Sequence, residues 1–165
     1  MAEANGDAPE IHRSAGEWLA AAKEAERDGE FFRAYDNALN GLAQHPQDLL
    51  LRHRAVLALT RSGATVQARA LYRKLGLEGR QDTDIPELDA RLVKDMAFAA
   101  PAGPERVRLL LEAAGKYDAV FRRTGHYYPG INLANLLLMA GQPERAAEIA
   151  ARIVATLHAM APPAG

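Results

Sequence analysis

The chain has no cysteine, which excludes disulfides, thiolate metal centres and cysteine nucleophiles. Serine is almost as scarce. Ser14 and Ser62 are the only two, neither lies in a Gly-x-Ser-x-Gly elbow, and Ser62 sits in an Arg-Ser-Gly-Ala-Thr turn. No apolar run reaches the roughly 18 residues that a membrane-spanning helix needs. An excess of charge is missing too: 20 Lys and Arg against 21 Asp and Glu leave a net charge of −1, which favours neither nucleic acid nor a membrane surface as partner. The start, MAEANGDAPEIHRSAGEW, has neither the basic residues nor the apolar core of a signal peptide. The expectation is a soluble, cytoplasmic protein whose 165 residues can bury a proper core.

Signals for catalysis are equally thin. The five histidines, His12, His45, His53, His126 and His158, lack the i, i+4 spacing of a helical zinc site. Asp82 and Asp84, in the loop before Pro86, read as loop solubility, because hard cations want more oxygens. Gly76 and Gly79 lack the Lys-Ser/Thr that completes a phosphate-cradling loop. The sequence therefore predicts no enzyme, no cofactor and no metal.

What the chain does have is helical periodicity. Apolar residues recur three and four apart, and no alternating β-branched run is long enough for a strand. The pattern predicts helices near 14–28, 31–45, 49–62, 65–76, 86–99, 104–123, 129–140 and 143–159, punctuated by Gly and Pro. A repeat lies beneath them. Gly29, Gly63 and Gly141 are each followed five residues later by alanine, at Ala34, Ala68 and Ala146, and the first two copies are offset by 34 residues. That is the tetratricopeptide period, in which a small residue after the turn lets two antiparallel helices approach closely. Trp18 takes the early aromatic position, Pro46 closes the first repeat and Tyr72 fills the large-residue position of the second. A third, longer repeat must lie between Gly63 and Gly141, with its extra length in GLEGRQDTDIP and in the AAPAGPE turn. The expected fold is an all-α, right-handed tetratricopeptide-like solenoid of about four helix pairs over 14–159. A disordered segment precedes it at 1–13 and a flexible tail or linker follows at 160–165. An alanine-rich helical bundle is the rival.

In stacked helix pairs the first helix of each pair lines the concave face, so candidate binding residues can be counted. Arg91 and Lys94 are neighbours on the fifth helix, and Tyr128, Asn132 and Asn135 fall at i, i+4 and i+7 on the seventh. The third helix offers His53 and Arg54. Guanidinium and ammonium groups suit phosphate, amides suit hydroxyl or base edges, and tyrosine suits stacking. Each has a plainer reading. Arg91 and Asp95 form a solvated i, i+4 pair with Lys94 in water, Tyr127 packs, Tyr128 packs or stacks, and the asparagines join helices.

The stretches LALTRSGATVQARALYRKLGLEGRQDT, ARLVKD and FRRTGHYYPGINLANLLLMAG carry a resemblance. They resemble the tetratricopeptide sensor (TPR-S) domain of bacterial conflict systems, and are similar to the TRAF-binding regulatory region of apoptosis signal-regulating kinases. The most specific motifs are the Lys94-Asp95 pair and Tyr127-Tyr128-x-Gly-Ile-Asn132, and the chain differs at His126, Leu133 and Asn135. The resemblance implies a ligand sensor in bacterial defence. It would recognise a nucleotide-derived signal and be fused or linked to an effector such as a caspase-like protease or TIR module. Homo-oligomerisation or release of the effector would be its output. A peptide-binding or scaffolding tetratricopeptide module remains the other function class.

Overall fold

The computed structural model describes residues 12–82 and 84–160. Among the described residues are eight α-helices and no strand: α1 Ala15–Arg27, α2 Phe31–Gln44, α3 Leu49–Arg61, α4 Thr65–Lys74, α5 Ile85–Ala99, α6 Pro104–Thr124, α7 Tyr127–Met139 and α8 Pro143–Met160. The helices follow the expected all-α, paired plan, and each packs on its sequence neighbour within the unit it belongs to. Of the expected disordered start and flexible tail, residues 1–11 and 161–165 lie outside the described residues, while Met160 still belongs to α8.

The repeat is visible as hydrogen bonding. Gly29, Gly63 and Gly141 all have φ near +80°, a conformation that side chains with a Cβ rarely adopt. In each turn the glycine N–H donates to the carbonyl three residues back, at Glu26, Thr60 and Leu138. The next N–H reaches five residues back, to Ala25, Leu59 and Leu137. The alanine five residues after each glycine donates within the first turn of the second helix, and Ala34, Ala68 and Ala146 are all buried. Three turns with one geometry cannot come from a generic bundle pattern.

The helices form two compact units, divided between Leu75 and Gly76. In the first, α1 begins with a capping box between Ser14 and Glu17, and Asp48 caps α3 by accepting from the Leu51 N–H at 2.8 Å. Its core gathers Trp18, Ala22, Ala38, Leu42, Leu51 and Ala55. The Trp18 indole N–H donates to Gln44 Oε1 at 3.1 Å, and Tyr72 is buried as the repeat pattern requires. Small residues dominate where α1, α2 and α3 meet: a Cβ on Gly41 would come within 2.8 Å of both Trp18 Cβ and Leu51 Cδ1.

The second unit packs α5 through α8 around Val93, Leu110, Tyr117, Leu133, Leu136 and Ile153. The extra length of the irregular repeat is distributed differently from the sequence expectation. Part of it falls between the end of α4 and the start of α5, but the turn at 100–103 is short, and α6, at 21 residues, absorbs the rest. Pro104 at its start costs nothing there because that N–H has no helical partner, and Gly125 ends it in a left-handed conformation.

Ala68 is fully buried beside the α3–α4 turn. Ala68→Leu should overpack the pair and cost about 1–3 kcal/mol. Urea unfolding monitored by circular dichroism measures this, and an unchanged midpoint would contradict the packing role given to residue 68.

Candidate functional site

The second unit brings together most of the residues that spacing had singled out. Arg91 and Lys94 lie on α5, and Tyr128, Asn132 and Asn135 lie on α7. The bridge between the two helices is direct: the Lys94 ammonium donates to Asn132 Oδ1 at 2.8 Å. Asn132 turns its other side inward on its own helix, Nδ2 donating to the Tyr128 carbonyl at 3.1 Å. The Asn132 amide is thus an interhelix contact that also lines the adjoining groove. Lys94 does not point to water, contrary to the plainer sequence reading. Its ammonium lies 5.7 Å from the centre of the Tyr117 ring, and it makes no ion pair among the described residues.

Arg91 does approach Asp95, with Nε 3.8 Å from Oδ2, but at that distance the contact is an ion pair and not a hydrogen bond. Arg91 Nε is buried without a hydrogen-bond partner, and so is the hydroxyl of Tyr117, whose side chain is wholly buried. Tyr127 and Tyr128 are exposed, at 55% and 47%, so Tyr127 does not take the packing role expected of it. Beside the bridge runs a groove of about 340 Å³, lined by Lys94, Phe98, Asn132, Asn135, Leu138 and Met139 among others. It joins a polar end to an apolar wall.

Burial decides the electrostatics. It pulls the Lys94 ammonium below the usual lysine range, with Asp95 opposing and Arg91 adding to the effect. It pushes the Asp95 carboxyl up against the pull of Arg91 and Lys94. Glu87 is also raised, first by burial and then by Asp84, while His126, Arg91 and Lys94 oppose. Tyr117 is raised by burial and further by Tyr128 and Glu87.

His53 and Arg54 lie on α3 in the first unit, and Arg54 is committed to Glu26, with Nη1 2.8 Å from Oε2. Two members of the cluster escaped sequence reasoning. Glu87 stands one turn before Arg91 on the same helix face, so its i−4 spacing was a usable signal. Tyr117 comes from α6, and nothing local announces it. The serines are occupied at helix ends: Ser14 in its capping box, and Ser62 through a 2.8 Å hydrogen bond to the Leu59 carbonyl. Among the described residues no cluster of His, Asp and Glu could hold a metal ion, and no helix is long and apolar enough to cross a membrane.

Glu87 yields a pH prediction. Its carboxyl titrates higher in the folded state, so its ionisation costs stability above that folded value, and the cost disappears below the ordinary value of 4.5. Glu87→Gln should therefore raise the melting temperature at neutral pH, and the advantage should shrink as pH falls and be gone below 4.5. A lower melting temperature for the variant at neutral pH would mean that attraction to Arg91 and Lys94 outweighs burial.

Residues 30–137, from the end of the first turn through most of α7, match the Tetratricopeptide Repeats-Sensor (TPR-S) family, and this stretch includes the whole α5–α7 cluster. No curated protein and no solved structure matches the chain. With the family's pattern running over well more than half of its length, on helix pairs of tetratricopeptide geometry, the chain belongs to the TPR-S family of sensor-type repeat domains.

Proposed function

We propose that residues 14–159 act as a non-catalytic sensor domain that binds a nucleotide-derived, phosphate-bearing small molecule at the α5–α7 cluster. Occupancy would then regulate a linked or partner effector in a cytoplasmic bacterial defence system. The observation that carries this reading is Lys94: an ammonium drawn out of water without a carboxylate partner, fixed on a neutral amide, next to a guanidinium with an unused Nε. Unmatched, desolvated donors of this kind are what a phosphate oxygen satisfies through charge-assisted hydrogen bonds. The Tyr117 hydroxyl adds a further unused donor, exposed Tyr128 a stacking face, and Phe98 with Met139 an apolar wall for a base. The effector class, a caspase-like protease or TIR module, follows from the family resemblance.

The apolar wall also supports the second reading, a peptide groove, and the two separate by experiment. A thermal-shift series with nucleotides, ADP-ribose derivatives and cyclic nucleotides should contain a stabilising compound. At a hundred times its Kd it adds about 2.7 kcal/mol to stability. Lys94→Met keeps the stem and removes the charge, so the folded chain should persist while the shift disappears. Arg91→Ala should weaken the same binding, and affinity should fall with added salt. Asn132→Ala should both weaken binding and cost about 1–3 kcal/mol by stripping Lys94 of its acceptor. Full nucleotide binding by Lys94→Met, or salt-insensitive binding of an apolar peptide in its place, would overturn the sensor site.

A further inference from the structure

We propose that the first unit carries a second, separate anion site, built by α1 and α3, that takes a small, multiply charged anion of the phosphate class. It does not depend on the sensor reading. Its organiser is Glu26, whose side chain is 4% exposed. One carboxylate oxygen, Oε2, accepts from Arg54 Nη1 at 2.8 Å and from Arg61 Nη1 at 2.9 Å. Two guanidiniums thus share one negative charge. The other oxygen, Oε1, and Arg54 Nε are buried with no hydrogen-bond partner. Lys23 and Arg27, one turn apart on α1, face the same pocket, and neither forms an ion pair among the described residues. The pocket measures about 460 Å³, and its lining sets these four cations against the single carboxylate.

A buried ionic centre is poor evidence of stability, since a well-packed apolar group in its place usually stabilises as well or better. What Glu26 does achieve is geometric. It holds two guanidiniums side by side with nitrogens to spare, at the edge of a cavity that two further cations overlook. The arrangement suits a ligand with at least two anionic groups, which planar forks bind bidentately and lysine as a point charge. A peptide fits less well. Ala20 is the only apolar side chain in the lining, and peptide grooves draw their affinity from apolar anchor pockets.

Isothermal titration calorimetry of the full chain with inorganic pyrophosphate tests the site. All titrations use the Lys94→Met background, so that the α5–α7 cluster does not contribute and the two sites can fail independently. Pyrophosphate should bind, with affinity falling as salt rises. Lys23→Ala with Arg27→Ala, both exposed and unpaired, should leave the circular dichroism unchanged and weaken binding by about tenfold or more. Arg61→Ala, in which Arg54 still holds Glu26, should weaken it as well. Absence of pyrophosphate binding overturns the proposal, as does equal affinity in the Lys23/Arg27 variant. Displacement of pyrophosphate by an acidic peptide of higher, salt-insensitive affinity would overturn it in favour of a peptide site.

Discussion

Close approach of paired helices, permitted by a small side chain just past each turn, is the constraint on which the rest of the structure depends. The turn glycine reverses the chain, and the alanine five residues later removes the bulk that would otherwise hold the helices apart. Ala34, Ala68 and Ala146 are buried for this reason. The same economy of volume reaches the site. A Cβ on Gly130 would come within 3.0 Å of both Ile153 Cδ1 and Phe121 Cε2, so α7 lies tight against its neighbours α6 and α8. That placement brings Asn132, half a turn further along α7, to hydrogen-bonding distance of Lys94 on α5. The geometry of the α5–α7 cluster is here a consequence of missing side-chain volume.

The molecule uses charge in two distinct ways. On the surface, Arg108 pairs with Glu105 and Glu112 within one helix, with all three side chains largely in water. Such exposed pairs contribute little to stability. In the α5–α7 cluster Glu87, Lys94 and Asp95 are half-buried and shifted towards their neutral forms, so burial outweighs attraction there. Sites where desolvation and specific charges perturb several groups at once are where binding or chemistry is concentrated.

Most of the fold was legible in the sequence because its signals are local. A glycine with positive φ, an alanine five residues on, and a 3.6-residue apolar period can all be read within one helix hairpin, and they located every helix to within about two residues at most boundaries. The site was legible where it followed helical spacing. Arg91 with Lys94, and Tyr128 with Asn132 and Asn135, were each derivable from a single helix face. Tyr117 was not, because its place under Lys94 depends on how α6 packs. The surroundings of Lys94 stayed open in the sequence for the same reason. A lysine beside an aspartate on one helix looks solvated until the neighbouring helix supplies an amide. The span of α6, by contrast, was legible to within one residue, because Pro104 opens the helix and Gly125 closes it in a left-handed conformation.

The two polar centres differ in what holds their cations, and the difference bears on what each can do. Glu26 neutralises part of the charge it organises, so Arg54 and Arg61 are fixed firmly but their attraction for a further anion is shared with a resident carboxylate. Asn132 fixes Lys94 without neutralising it. A neutral acceptor orients the ammonium and leaves its full charge available, while burial raises the strength of any interaction made there. The cost falls on the unliganded state, in which that charge has lost water and gained only an amide. On the proposed reading, binding of an anion would recover the loss, and its affinity would be drawn from a ground state already held at a disadvantage. The bridge to Lys94 gives an asparagine, a mediocre helix former, a structural partner at its central position in α7.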